Sequence, residues 1–199
     1  NPGFVGISTM TPSAPGAYEL AGFIKQHLDL PIVMGGVHCT SFKEKVLKEC
    51  PAVDIVCVGE GDVTVVELVD ALEGKRDLSS VKGLCFRDPD GKLVRNENSP
   101  LIMDLDSLAF PARDLLDHSI YRPLPLSFRK LPMTSMVTSR GCPYSHCSFC
   151  FEAGNHAFKF RRHSPEYVAR EIEETILPHG IKEILFWDDI FLINKRWVE

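Results

Sequence analysis

The sequence predicts an α/β protein, and three patterns carry that prediction. Short apolar runs alternate with amphipathic stretches of helical period from Phe4 to Leu72. Each run stops at a turn of glycine or hydroxyl residues. A second strand–helix–strand series follows a proline-rich stretch and ends near Trp187. Apolar runs without alternation mark strands covered on both faces, hence a parallel sheet between layers of helices.

Phe4-Val5-Gly6-Ile7-Ser8 reads as the first buried strand, closed by a Thr/Pro/Ser/Gly turn. Ala17 to Leu28 carries Leu20, Ile24 and Leu28 at fourfold spacing, with Ala21 and Phe23 beside them, and predicts a helix burying that face. Pro31 to Met34 is a second strand, stopped by Gly35-Gly36; Phe42, Val46 and Leu47 mark a helix running through Glu49. Ile55 to Val58 is a third strand, stopped by Gly59-Glu60-Gly61. Asp62 is placed to cap the next helix, with Val65, Val66, Leu68, Val69 and Leu72 as its apolar face. Leu84–Arg87 and Lys92–Arg95 flank Asp88-Pro89-Asp90-Gly91 and predict a hairpin.

In a parallel sheet the ligand crevice lies beyond the carboxyl ends of the strands. Three turns fall on that edge: Ser8-Thr9-Met10-Thr11, Gly35-Gly36-Val37-His38 and Gly59-Glu60-Gly61. Glycine lets a ligand approach the backbone, and the hydroxyls add polar contacts; the plain alternative is that these glycines only make tight turns. Neither a G-x-G-x-x-G nor a Walker pattern is present.

Pro100, Pro111, Pro123, Pro125 and Pro132 punctuate a stretch with little periodicity, which predicts a linker over 99–132 between domains at 1–98 and 133–199. Thr134 to Thr138 is a strand leading into a cysteine-rich loop. Ser164-Pro165-Glu166 then starts a helix with Val168, Ile172 and Ile176 on its apolar side, ended by Pro178-His179-Gly180. Glu183 to Trp187 is the next strand and delivers Asp188-Asp189 to the same rim as the cysteines. Adjacent residues of a strand face opposite ways, so at most one of the two acids faces a site there.

The chain has 199 residues, 44% hydrophobic and 25% charged, with a net charge of −5. That acidic balance gives no footprint for nucleic acid, and no apolar run reaches membrane-spanning length. Asn1-Pro2-Gly3 runs straight into a strand, which suggests a piece of a longer protein. Cys39, Cys50, Cys57 and Cys85 sit among apolar neighbours and read as core; clustered cysteines overall point to a reducing cytoplasm.

Cys142, Cys147 and Cys150 lie in one short loop. Three thiolates with no fourth cysteine nearby suit an iron–sulfur cube with one open iron. The plainer alternative is a zinc knuckle completed by His156 or His163.

The run Thr138-Ser139-Arg140-Gly141-Cys142-Pro143-Tyr144, closing with Cys147-Ser148-Phe149-Cys150, resembles the cluster loop of radical S-adenosylmethionine (SAM) enzymes. Phe149 matches the aromatic before the third cysteine, whereas the first gap holds four residues where the usual pattern has three. The first half is similar to the Rossmann-like cobalamin-binding domain that precedes the catalytic barrel in one large class of these enzymes. The matching segments are Val5–Thr11, Val33–His38 and Val58–Gly61, and Phe110-Pro111-Ala112-Arg113-Asp114 resembles the joining segment. A D-x-H-x-x-G pattern, which supplies a histidine to cobalt in some cobalamin proteins, is absent from these residues, and the domain's opening strand and helix are expected to be missing.

The resemblance implies a 4Fe–4S cluster on Cys142, Cys147 and Cys150, with SAM at its open iron and Asp188 or Asp189 helping to hold the SAM amino group. It implies cobalamin against the three turns, an external electron donor such as flavodoxin or ferredoxin, and a small-molecule substrate. Reductive cleavage of SAM would yield a radical that abstracts hydrogen from an unactivated carbon, leading to methyl transfer or ring-forming oxidation. Residues 133–199 would begin a (β/α) barrel, and this piece alone would not turn over substrate. The competing expectation is a non-catalytic zinc-binding module fused to a Rossmann-like domain.

Overall fold

The computed structural model describes residues 2–121, 123–124, 128–150 and 159–199. The chain divides into two compact units, Asn1–Leu101 and Ile102–Glu199.

In the first unit, strands β1 (Val5–Ser8), β2 (Ile32–Gly35) and β3 (Ile55–Cys57) are parallel, as the apolar runs predict. Strands β4 (Leu84–Arg87) and β5 (Leu93–Arg95) form the expected hairpin and extend the sheet antiparallel, in the order β1-β2-β3-β4-β5. Asp88 shapes the hairpin turn by accepting from the backbone N–H groups of Asp90 and Lys92.

Helix α1 (Ala14–His27) and the short helices α2 (Val37–Phe42) and α3 (Glu44–Glu49) pack on one face. Their core gathers Ala21, Val46, Leu47 and Cys39 against Ile32, Met34 and Val56. Helix α4 (Gly61–Leu72) covers the other face, with Leu68 against Val33, Ile55, Leu84 and Phe86. The two-sided cover buries β2 and β3, whereas β1, expected to be a buried strand, lies at the end of the strand order with Gly6 and Ser8 exposed.

Three local expectations are corrected. Helix α1 buries Ala14 and Ala21, with Ala17, Tyr18 and Ile24 packed against the core, while Leu20, Phe23 and Leu28 are exposed. Small alanines let the helix axis approach the sheet closely and so displace the leucines from the contact face. The single helix expected up to Glu49 breaks at Lys43, whose φ is 54°. Helix α4 begins at Gly61, so Asp62 lies inside its first turn; Thr64 and Leu68 are buried, and Val66 points to solvent. The four scattered cysteines are buried as expected. Burial is the main reason the thiols of Cys39, Cys57 and Cys85 are pushed up, to about 12, 11 and 11.

In the second unit, β6 (Met133–Met136) and β9 (Glu183–Phe186) pair in parallel. A two-residue pair, β7 (Ser139–Arg140) with β8 (Arg161–Arg162), is antiparallel and brackets the cysteine loop. Helix α5 (Pro165–Glu171) starts as the sequence predicts, with the Ser164 hydroxyl accepting from the Tyr167 N–H. It continues through a π-helical turn (Ile172–Ile176) to Gly180, which takes the left-handed conformation. Helix α6 (Lys195–Val198) follows.

Part of the expected linker is packed into this unit. Arg113 is buried, forms an ion pair with Glu171 at 2.8 Å, and donates to the Thr134 hydroxyl and the Ser135 carbonyl. Tyr167 donates to the Leu108 carbonyl, and Asp106 accepts from the Ser164 N–H. Charged and aromatic partners fix a segment whose sequence has no period to reveal them.

Candidate functional site

The parallel register aligns Ser8 with Gly35, so the turns after β1, β2 and β3 emerge on one edge. Backbone and hydroxyl bonds stitch them together. The Thr9 N–H donates to the Gly35 carbonyl at 3.0 Å, and the His38 N–H donates to the Thr9 carbonyl at 3.2 Å. Thr40 links the second and third turns: its hydroxyl donates to the Gly36 carbonyl at 3.1 Å and accepts from the Gly59 N–H at 3.0 Å.

Gly36 has a φ of 97°, and a Cβ there would stand 2.6 Å from the Thr9 carbonyl oxygen. Only glycine fits this crossing of two turns. Gly59 has a φ of 87° but faces open space, so its backbone is approachable from outside. Gly35 has ordinary clearance, 3.8 Å from the Cys57 Cβ. Gly36 is therefore a structural glycine, Gly59 faces open space on the rim, and a Cβ at Gly35 would rest in ordinary contact with Cys57.

The other predicted rim residues divide similarly. Thr9 is buried and its hydroxyl bonds Ser13 and the Met10 carbonyl, so that side chain is committed to the turn. Ser8, Met10, Thr11 and Val37 are exposed along the edge, and Gly59, Glu60 and Gly61 are half-buried where α4 begins. His38 and Thr40, both buried, hold the turns in place. Neither belongs to a periodic pattern, and only their position beside Gly35-Gly36 marks them.

In the second unit the cysteine loop leaves the carboxyl end of β6. Cys142, Cys147 and Cys150 are free thiols, each partly exposed, and the Cys150 N–H donates to the Cys147 carbonyl at 3.1 Å. Phe149 is 91% exposed. Among the described residues no group of three His, Cys, Asp or Glu side chains is gathered closely enough to hold a metal ion. The donor set fits three-thiolate ligation all the same: three uncommitted soft ligands on one loop, with no disulfide to compete.

The loop stem is firmly held. Asp188 accepts from the Thr138 N–H at 3.0 Å, the Thr138 hydroxyl at 2.8 Å and the Ser139 hydroxyl at 2.5 Å. On the other side the His163 N–H donates to the Thr138 carbonyl. Asp189 is exposed next to Asp188. His163, a candidate fourth zinc ligand, is buried, stacks on Tyr167 at 4.0 Å and pairs with Asp106 at 3.2 Å. His156, the other candidate, lies outside the described residues.

Comparison with known proteins adds independent support. Residues 1–69 match the family described as the B12 binding domain. Over 197 residues the chain is 37% identical to an uncharacterized methyltransferase of Pyrococcus horikoshii, covering 98% of this chain and 41% of that protein. It is 31% identical to the anaerobic magnesium-protoporphyrin IX monomethyl ester cyclase of Rubrivivax gelatinosus, covering 98% of this chain and 35% of the cyclase. The chain thus spans well under half the length of these relatives.

Among solved structures, the cobalamin-dependent SAM radical enzyme OxsB, with aqua-cobalamin and SAM bound, superposes with a TM-score of 0.75 at 24% identity. That match covers 96% of this chain and 26% of OxsB. A radical SAM methyltransferase of Kitasatospora setae, with cobalamin and a 4Fe–4S cluster bound, gives 0.67 at 22% identity, covering 95% and 38% of the two chains. At these identities the likeness to the solved structures is one of fold. With a match to the B12 binding domain over residues 1–69 and relatives along nearly its whole length, the chain resembles the cobalamin-dependent radical SAM proteins.

Proposed function

We propose that this chain is the cobalamin-binding and cluster-binding part of a radical SAM enzyme acting on a small molecule. The observation that carries the reading is the pairing, in one chain, of a B12 binding domain with three free thiols on a loop at a strand's carboxyl end. When bound, the cluster supplies the electron for reductive cleavage of SAM, and cobalamin supplies a methyl carrier.

The residues have separate tasks. Cys142, Cys147 and Cys150 are the cluster ligands, and the short gap between the last two is set by the turn from Cys147 to Cys150. Asp188 is used up in holding the stem, which leaves Asp189 as the carboxylate for the SAM amino group. Ser8, Thr11, Gly35 and Gly59 present hydroxyls and bare backbone to cobalamin. The parallel pair β6–β9, with the loop at its carboxyl end, is the start of a (β/α) barrel.

Methyl transfer is the leading reaction, in line with the Pyrococcus relative; ring-forming oxidation is the second reading, favoured by the likeness to the Rubrivivax cyclase. The test is anaerobic reconstitution followed by metal and sulfide analysis and titration with hydroxocobalamin. The reading expects about four irons and four sulfides per chain, as a cubane requires. A single tightly held zinc without sulfide would replace it with the zinc-module reading.

A further inference from the structure

Next to the rim the first unit carries a chain of polar side chains of which the proposed function uses only Thr11. His38 is 4% exposed. Its Nε2 lies 2.8 Å from the Tyr18 hydroxyl, and its Nδ1 lies 3.3 Å from the Thr11 hydroxyl. The Tyr18 hydroxyl in turn donates to Glu49 Oε2 at 3.1 Å. Phe42 and Tyr18 pack on the ring at 4.6 and 5.8 Å between centroids and hold it in place.

The direction of this chain follows from counting protons. A carboxylate only accepts, so the single Tyr18 proton goes to Glu49. The Tyr18 oxygen must then accept from His38, which puts the ring proton on Nε2. In the neutral ring Nδ1 is then an acceptor, and the Thr11 hydroxyl is its donor. Every proton therefore points from the rim toward Glu49, and aligned bonds of this kind reinforce one another. Thr11 is exposed on the rim with its proton already committed to His38.

We infer that His38 is a positioning residue that makes Thr11 a hydrogen-bond acceptor toward the ligand of the rim. The ligand group it meets is therefore a donor, an amide N–H or a sugar hydroxyl, and not a phosphate oxygen. The inference rests on the cobalamin reading for the identity of that ligand. Cobalamin carries both kinds of donor, on the amide side chains of its ring and on the ribose of its tail.

The experiment combines two measurements on the full chain. Nitrogen-15 shifts of the His38 ring read the tautomer without ligand, and hydroxocobalamin titration reads affinity. Wild type is expected to carry its proton on Nε2. Tyr18→Phe removes the acceptor for that proton while keeping the ring, and should move the proton to Nδ1. Affinity should then fall by roughly three- to tenfold, the worth of one hydrogen bond.

Asparagine places an amide near the Nδ1 position and glutamine near Nε2. His38→Asn should therefore retain more affinity than His38→Gln, at matched melting temperature. A proton on Nδ1 in wild type, or equal losses in the Asn and Gln variants, overturns the inference. Normal tautomer shifts with no cobalamin binding by wild type would instead overturn the cobalamin reading, and with it the ligand assigned to Thr11.

Discussion

Asp188 ties the end of β9 to the start of the cysteine loop by accepting from both the N–H and the hydroxyl of Thr138, at 3.0 and 2.8 Å. With Ser139 added, three donors converge on one carboxylate. Such bonds to an ionised acceptor are roughly twice as strong as neutral ones. Of the two acids that the family resemblance offered for SAM, Asp188 thus has a structural employment, and Asp189 is exposed beside it.

The two acids are therefore expected to fail differently. Asp188→Asn should lower iron and sulfide per reconstituted chain, because the loop stem loses acceptors. Asp189→Asn should load iron normally and bind SAM more weakly, by about tenfold for a lost charge-assisted contact. Metal analysis and equilibrium dialysis with labelled SAM separate them. Normal cluster loading in Asp188→Asn would show that the stem does not depend on this carboxylate.

Arg113 and Glu171 form a second tie, buried to 8% and 4% side-chain exposure. Removing one partner leaves a buried charge uncompensated, which typically costs about 3–5 kcal/mol. Arg113→Met is expected to destabilise the second unit by that order. Trp187 and Trp197, the chain's two tryptophans, both lie in that unit, so their fluorescence reads its unfolding alone. A denaturant midpoint unchanged from wild type would remove the pair from the account of what holds residues 102–121.

The first unit was legible because burial on both faces writes itself into sequence as plain apolar runs. Ile32, Met34 and Val56 show that pattern, and all are inaccessible. Helix faces were less so. Leu20, Ile24 and Leu28 outshine Ala14 and Ala21 in any hydrophobic count, yet close approach to the sheet favours the alanines. The rim glycines could be placed but not sorted, since strain at Gly36 depends on where Thr9 crosses it. Arg113 and Asp106 were hidden in a stretch without periodicity, because an ion pair across 58 residues of sequence leaves no local mark.

The sorting of the glycines gives a clean ligand probe. Gly36→Val collides with the Thr9 backbone and forces a side chain into a conformation that costs of order 1–3 kcal/mol before any collision. Its loss of cobalamin affinity would be confounded by lost stability. Gly35→Ala meets nothing nearer than 3.8 Å, and Gly35 does not have a positive φ. It is expected to keep the melting temperature of wild type and to weaken hydroxocobalamin binding. Unchanged affinity in a stable Gly35→Ala chain would mean that this backbone is not a ligand surface.

Asp106 supplies a prediction in pH. Partial burial on its own would raise its carboxyl, but hydrogen bonds from Ser164, helped by His163, outweigh it and hold the group below its usual value. A carboxylate lowered in the folded state binds protons more readily once unfolded, so it adds stability above the unfolded value of 3.8 and loses it as pH falls through the lower folded value. Its side chain is 35% exposed, which weakens the effect through solvent screening. Asp106→Asn keeps the shape and cannot titrate. The gap in stability of the second unit between wild type and this variant should be steady from about pH 5 down to about pH 4, then close as acid is added. Tryptophan fluorescence during denaturation at stepped pH measures it, since Trp197 donates to the His163 carbonyl beside this site at 3.0 Å. A gap that widened on acidification would reverse the sign and show that Asp106 is held protonated, not ionised, at the start of α5.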